Sequence, residues 1–298
     1  MLWWIPATLM AAAAQVARNG LQANLTRQIG MLGATQVRFV FGLPFGCLFW
    51  LGAWALLGDP LPRFTGEAWS YALAGALTQI AATALMLVAM AERAFGVAYA
   101  YIKTEPVLVA LFGVLLLGDH LTLLAWTGIV IATVGILVVS VDPRGWRDLL
   151  REGRPMAVGI AAGAFFGLAS VCFRGAIVAM DGSGAFMRAL TVLVVVMMVQ
   201  CLVLGLYLVL FDRPAFVASL RIWRQSLTAG FFGALATAGW NVALSLTLAA
   251  NVRTLGLIEM PMAGLFNRRV SGGTLSTREW LGMLLVIGGI ALLMTQAL

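Results

Sequence analysis

Apolar residues fall in long, nearly unbroken runs, at residues 2–21, 33–57, 68–91, 97–117, 121–141, 156–180, 185–211, 227–249, 254–270 and 280–298. None alternates as a half-buried strand does, and none shows the charged face of a soluble amphipathic helix. Each approaches the ~20 residues that carry a helix across a ~30 Å hydrocarbon core. The pattern predicts about ten crossings, joined by short loops. No basic residue precedes Arg18, so the first run reads as a retained span and not as a secretory signal.

The longest polar interruption, residues 142–155, divides the chain into a first unit at 1–141, a basic linker at 142–154 and a second unit at 155–298. Residues 105–136 lie without a gap on 259–290: Glu105 meets Glu259, Phe112 meets Phe266, Gly118 meets Gly272, Trp126 meets Trp280, Gly128 meets Gly282 and Gly135 meets Gly289. Arg38 lies opposite Arg188 in a looser match. A unit with an odd number of spans re-enters the membrane from the other side when copied. The expected fold is therefore an all-α polytopic membrane protein, ten transmembrane helices in two inverted five-helix repeats around a central cavity near the midplane.

Composition agrees with the pattern. Hydrophobic residues make up 62% of the chain and charged ones 10%, with a mean hydropathy of +0.98; soluble domains carry about 25% charge. The net charge of +7 comes from arginines clustered between runs, which fits topology better than nucleic acid. Cys47, Cys172 and Cys201 sit apart in apolar runs and suggest neither a disulfide framework nor a zinc site. His120 has no nearby catalytic or metal-binding companions, and no phosphate-binding glycine loop is present. No cofactor or metal is expected, and no enzyme activity.

Arg18, Arg38, Arg174 and Arg188 lie near the ends of apolar runs, where an arginine can snorkel; three other ionisable groups inside the runs are candidates for chemistry. Lys103, the only lysine, either pairs with an anionic group or snorkels from a helix end. Glu105 and Glu259 precede Pro106 and Pro261, where the helix is expected to break. A carboxyl there either exchanges protons as a coupling group or caps the half-helix that follows. Tyr99 lies four residues before Lys103 on one helix face, where a flat solute with an acidic group would stack on one and pair with the other. Gly159, Gly163 and Gly167 form a ridge of small residues for close helix packing.

The Glu-Pro at 105–106, the Leu-Leu-Leu-Gly-Asp at 115–119, the Gly-rich fifth run and Arg38-Phe39 resemble the EamA-type transporters of the drug/metabolite transporter superfamily. The resemblance implies a carrier that moves a small organic solute by alternating access. By that likeness the cavity is lined from residues 3–19, 78–86 and 99–106, and from 165–174, 240–244 and 253–262. Within these, Lys103, Tyr99, Tyr101, Asn19, Gln79, Thr83, Phe166, Ser170, Trp240, Asn241 and Met262 are candidate solute contacts. For the polar ones, hydrogen bonding between helices is the competing use.

The favoured reading is a monomeric secondary exporter of an amino acid or related carboxylated, aromatic solute in a bacterial-type inner membrane, with protons as the candidate coupling ion and lipid as its surroundings. An uncoupled facilitator and a lipid-modifying membrane enzyme are the alternatives; the latter needs a clustered acid, base or metal set that the sequence lacks. Odd-numbered loops hold most of the arginines, whereas even-numbered loops hold only Arg63 and Arg253. The positive-inside rule then puts both termini outside, although the family's ten-helix members commonly keep both termini cytoplasmic.

Overall fold

The computed structural model describes residues 2–92, 101–140, 153–262 and 276–297. These are 88% helical with no strands. Among the described residues seven helices are long and apolar enough to cross a membrane, with a shorter apolar helix at Glu105–Leu117. Three of the ten expected runs are not among the seven: the first, and the fourth and ninth, which are described only in part and contain a turn at Lys103-Thr104 and a 3-10 turn at Gly256–Ile258. Residues 93–100, 141–152 and 263–275, which include Tyr99 and most of the basic linker, lie outside the described residues.

Contacts divide the chain into two compact units, residues 3–77 with 172–246 and residues 78–171 with 247–298. Each unit draws on both sequence halves.

In the first unit, α1 (Trp4–Val40) contains a non-helical Gly30 with φ 74° and ψ 173°. Gln22 Nε2 donates to Ala34 O at 3.3 Å. A straight helix would separate those residues by about 18 Å at ~1.5 Å per residue. The chain therefore folds back at Gly30, so that α1 is two arms, the ends of the first and second apolar runs. After Phe41-Gly42 the second arm continues as α2 (Leu43–Leu57), which stops at Gly58 in the left-handed region.

The chain passes between units within α3 (Gly66–Glu92) and α6 (Gly153–Val178). The first unit is completed by α7 (Ala185–Phe211), the short α8 (Arg213–Arg221) and α9 (Trp223–Leu246). Asp212 starts α8 by accepting from Ala215 N at 3.2 Å. Trp50 Nε1 donates to Thr191 Oγ1 at 2.8 Å between α2 and α7, over a core of Ala53, Met187, Leu193 and Met197. Loop backbones pair between Arg63 and Asp181, and Gln28 Nε2 donates to Gln225 Oε1 at 3.2 Å.

The second unit holds α4 (Glu105–Leu117), α5 (Leu123–Ser140), α10 (Ala249–Leu255) with its 3-10 turn Gly256–Ile258, and α11 (Thr277–Ala297). In it α5 and α11 run antiparallel, almost backbone to backbone. A methyl group on Gly128 would lie 2.6 Å from Gly289 O, and one on Gly135 would lie 2.7 Å from Gly282 O. These are the four glycines that the repeat aligns as Gly128 with Gly282 and Gly135 with Gly289, and they touch crosswise. In hydrocarbon apolar surface gives helices little reason to associate, so such contacts rely on small residues and van der Waals packing. Large apolar side chains instead point outward, Leu56 88% exposed and Leu123 84%, as lipid-facing surfaces require.

Candidate functional site

The two broken helices of the second unit carry the charges. Tyr101 and Ile102 end a helical segment, Lys103 and Thr104 form a turn, and α4 begins at Glu105. Pro106 stands in the first turn of α4, where its missing N–H is no loss. The Gly ridge of α6 seats this break. A methyl on Gly163 would lie 2.6 Å from Ile102 O, one on Gly159 would lie 2.5 Å from Tyr101 Cβ, and Gly167 faces Val109. The ridge read from the sequence thus holds the broken segment itself.

In the matching segment α10 passes through the 3-10 turn, and helix resumes at Glu259, with Pro261 buried within it. Glu105 stands in the first turn of α4, whose N-terminal amides favour negative charge, and Glu259 takes the matching place directly after the 3-10 turn. Both are 3% exposed.

Their partners cross over. Lys103 Nζ, in the first broken segment, pairs with Glu259 of the second. Arg253 of the second reaches back to Glu105 of the first, Nε to Oε1 at 2.6 Å and Nη2 to Oε2 at 2.8 Å. Each cation thus neutralises the other segment's carboxylate, and the planar guanidinium does so with two parallel bonds. Such charges persist away from water only when paired.

Arg253 is the functional residue that the sequence reading named only as one end of the cavity-lining stretch 253–262, with no role of its own. It was counted as a loop charge, yet it lies in α10 with its side chain 16% exposed. It therefore leaves Arg63 alone as the even-side arginine. The repeat conceals it, because the alignment sets Arg253 against Tyr99 and Lys103 against Leu257, so only the carboxylates match. Over the stretches 99–106 and 253–262 the charges are two cations, Lys103 and Arg253, and two glutamates, and that balance was the available clue.

The other candidate contacts are distributed over both units. In the second, Tyr101 is buried against α6 and Thr83 Oγ1 donates to Gln79 O at 2.8 Å within α3. Ser170 Oγ bonds Phe166 O at 3.0 Å, and Met262 is 37% exposed. In the first, Asn19 accepts from Arg18, Trp240 Nε1 donates to Gln15 Oε1 at 3.0 Å, and Asn241 Nδ2 donates to Ala189 O at 3.4 Å. Among the described residues no three His, Cys, Asp or Glu side chains gather as metal ligands.

Long apolar helices with large apolar side chains on their outer surfaces define a multi-pass membrane protein. Residues 2–141, just under half of the chain, match the sequence model of the EamA-like transporter family, part of the drug/metabolite transporter superfamily. No curated protein matches it. A solved structure described only as "Crystal structure of protein" has a TM-score of 0.69 and 16% identity over 98% of both chains, so the whole chain shares its fold.

Proposed function

We propose that this chain is a secondary carrier of ten transmembrane helices, two inverted repeats at 1–141 and 155–298, that exports a small organic solute from the cytoplasm by alternating access. The crosswise meeting of aligned glycines in α5 and α11 supports inversion, because equivalent helices that touch antiparallel are what an inverted copy produces. The Arg63–Asp181 bridge joins two even-numbered loops and the Gln28–Gln225 bond two odd-numbered ones, which fits the expected parity of crossings. With the arginine-rich odd loops cytoplasmic, both termini face outward.

The crossed ion pairs carry the mechanism. They form a lock that is neutral when closed, Lys103 with Glu259 and Arg253 with Glu105. A proton arriving on either carboxylate removes its charge and leaves a buried cation, an unfavourable state relieved by helix movement and water entry. Losing the proton re-forms the pair and closes the lock. The proton therefore couples through Glu105 and Glu259, and Lys103 acts in the lock, since its ammonium already holds Glu259.

Reconstitution in proteoliposomes tests this reading. A metabolite hit from a thermal-shift screen should show saturable counterflow and accumulate uphill when a proton gradient is imposed. Glu105→Gln and Glu259→Gln should keep exchange but lose the uphill component. Wild-type flux that never runs uphill, whatever the pH gradient, would exclude a coupled carrier.

A further inference from the structure

The link between α7 and α9 leaves a cationic face at one end of the first unit. Asp212 takes the chain out of α7, and the short α8 that follows divides its residues between two faces. Ala215 and Phe216 pack on Phe39, Leu204 and Leu208, Ser219 is fully buried, and a methyl group built on Gly33 of α1 would lie 3.4 Å from Ala215 O. Arg213, Val217, Leu220 and Arg221 form the other face, at the i, i+4, i+7 and i+8 spacing of one helical stripe, and all four are exposed. Val217 is 42% exposed and Leu220 41%. The outer face is therefore apolar in the middle and cationic at both ends.

The neighbouring segments share this character. Trp223, which opens α9, is 50% exposed, and the Arg224 guanidinium stands 5.4 Å from the centroid of its ring. Exposed Arg27 belongs to the turn of α1 that leads into Gly30, and Gln28 of that turn is bonded to Gln225. Among the described residues Arg27, Arg213 and Arg221 enter no ion pair. Asp212, the acid nearest to them, is used as the cap of α8, accepting from Ala215 N. Asp59, Glu67 and Asp181 stand at the opposite ends of the spans, where Arg63 and Asp181 bridge. Because α8 joins two helices that are each long enough to cross hydrocarbon, it lies where the span ends and the headgroups begin.

Neither water nor hydrocarbon suits such a face. Water leaves Val217, Leu220 and Trp223 unburied, and hydrocarbon leaves the arginines without counter-charge. The headgroup layer accommodates both, since tryptophan settles there, apolar side chains reach the upper acyl carbons and guanidinium meets phosphate. We propose that α8, with Arg27, Trp223 and Arg224, is a docking platform for the headgroups of anionic phospholipid. Arg213, Arg221 and Arg224 meet the phosphates, and Val217, Leu220 and Trp223 are seated among the upper acyl chains. Charge complementarity selects the lipid: a zwitterionic headgroup already carries its own cation, whereas an anionic one gains about 1 kcal/mol for each arginine near it, roughly fivefold in affinity. Bound lipid would also clamp α8 against the fold-back of α1. The platform requires a membrane-spanning chain and no transport activity, so it stands apart from the carrier reading.

Native mass spectrometry of the full chain, released from detergent after equilibration with equal amounts of phosphatidylglycerol and phosphatidylcholine, tests the platform. Phosphatidylglycerol adducts should exceed phosphatidylcholine adducts several-fold. Raising ammonium acetate from about 0.1 to about 1 M shortens the screening length from ~10 to ~3 Å and should remove most of that excess. One chain carrying Arg213→Gln, Arg221→Gln and Arg224→Gln should lose the excess on the order of tenfold, whereas Arg63→Gln, at the opposite end of the unit, should keep it within about twofold. Val217→Ser with Leu220→Ser should weaken the binding of both lipids, and excess inorganic phosphate should displace neither. Equal adducts of the two lipids in the wild type, an excess untouched by the triple variant, or the same loss in Arg63→Gln overturns the platform. Displacement by phosphate, or full binding in the double serine variant, overturns it too, because either would mean that the apolar seat plays no part. Should the triple variant fail to elute as a single species, the salt series on the wild type decides, and an excess that survives 1 M salt overturns the proposal.

Discussion

Arg253 and Glu105 lie 148 positions apart in the chain and meet through two parallel hydrogen bonds. Removing one partner leaves the other's charge buried, which costs roughly 3–5 kcal/mol in comparable sites, whereas removing both leaves none. Arg253→Gln and Glu105→Gln are each expected to destabilise the protein by that amount, and the double variant by clearly less than the sum. Denaturant unfolding in detergent measures this. Strict additivity would mean that the two side chains do not interact.

Lys103 and Glu259 offer a second test, since the ammonium of Lys103 donates to the Glu259 carboxylate. An ammonium presents a point charge and no fork, so exchanging the charges should be better tolerated here than at Arg253. Lys103→Glu and Glu259→Lys alone should each abolish flux, and the two together should restore part of it with the thermal midpoint close to wild type. Failure of the double variant to exceed either single one in both measurements would show that the residues act separately.

How far the sequence revealed this arrangement depends on what each residue's neighbours are. Lys103, Glu105 and Glu259 stood out because a charge within an apolar run is costly wherever it points. The ridge at Gly159, Gly163 and Gly167 was legible because helical periodicity alone puts three such residues on one face. Arg253 was not, since an arginine beside the start of a run looks the same as a loop arginine until the helix is seen to begin at Ala249. The pairing was hidden for a further reason: the cations do not share the register that matches the glutamates. The placing of Arg27 beside the start of α9 follows from the fold-back at Gly30, which joins two separate apolar runs and leaves no periodic trace.

Gly30 itself predicts a measurable strain. Its φ of 74° with ψ of 173° lies in a region that essentially only glycine adopts, where another residue costs about 1–3 kcal/mol, and a methyl group there would meet nothing else within 4 Å. Gly30→Ala should therefore cost about 1–3 kcal/mol through the backbone alone. Gly30→Asn should fare no better, because the left-handed helical conformation that asparagine tolerates has ψ near about 47°. A stability equal to wild type for Gly30→Ala would mean that the fold-back is made elsewhere.

The contact between α5 and α11 makes the strongest steric prediction. A methyl on Gly128 would approach Gly289 O to 2.6 Å and Leu293 N to 2.8 Å, and one on Gly289 would approach Gly128 O to 2.5 Å. Backbone atoms of two helices cannot yield as a flexible side chain can, so Gly128→Leu or Gly289→Leu must push the pair apart. A cost of at least the ~1–3 kcal/mol typical of overpacking is expected, seen as a lower thermal midpoint or failure to elute as a single species. Gly20→Leu and Gly52→Leu provide the comparison, because a methyl at either meets nothing within 4 Å. Those two should fall within about 0.5 kcal/mol of wild type. If all four behave alike, the close antiparallel approach of the two helices is absent from the protein in its membrane.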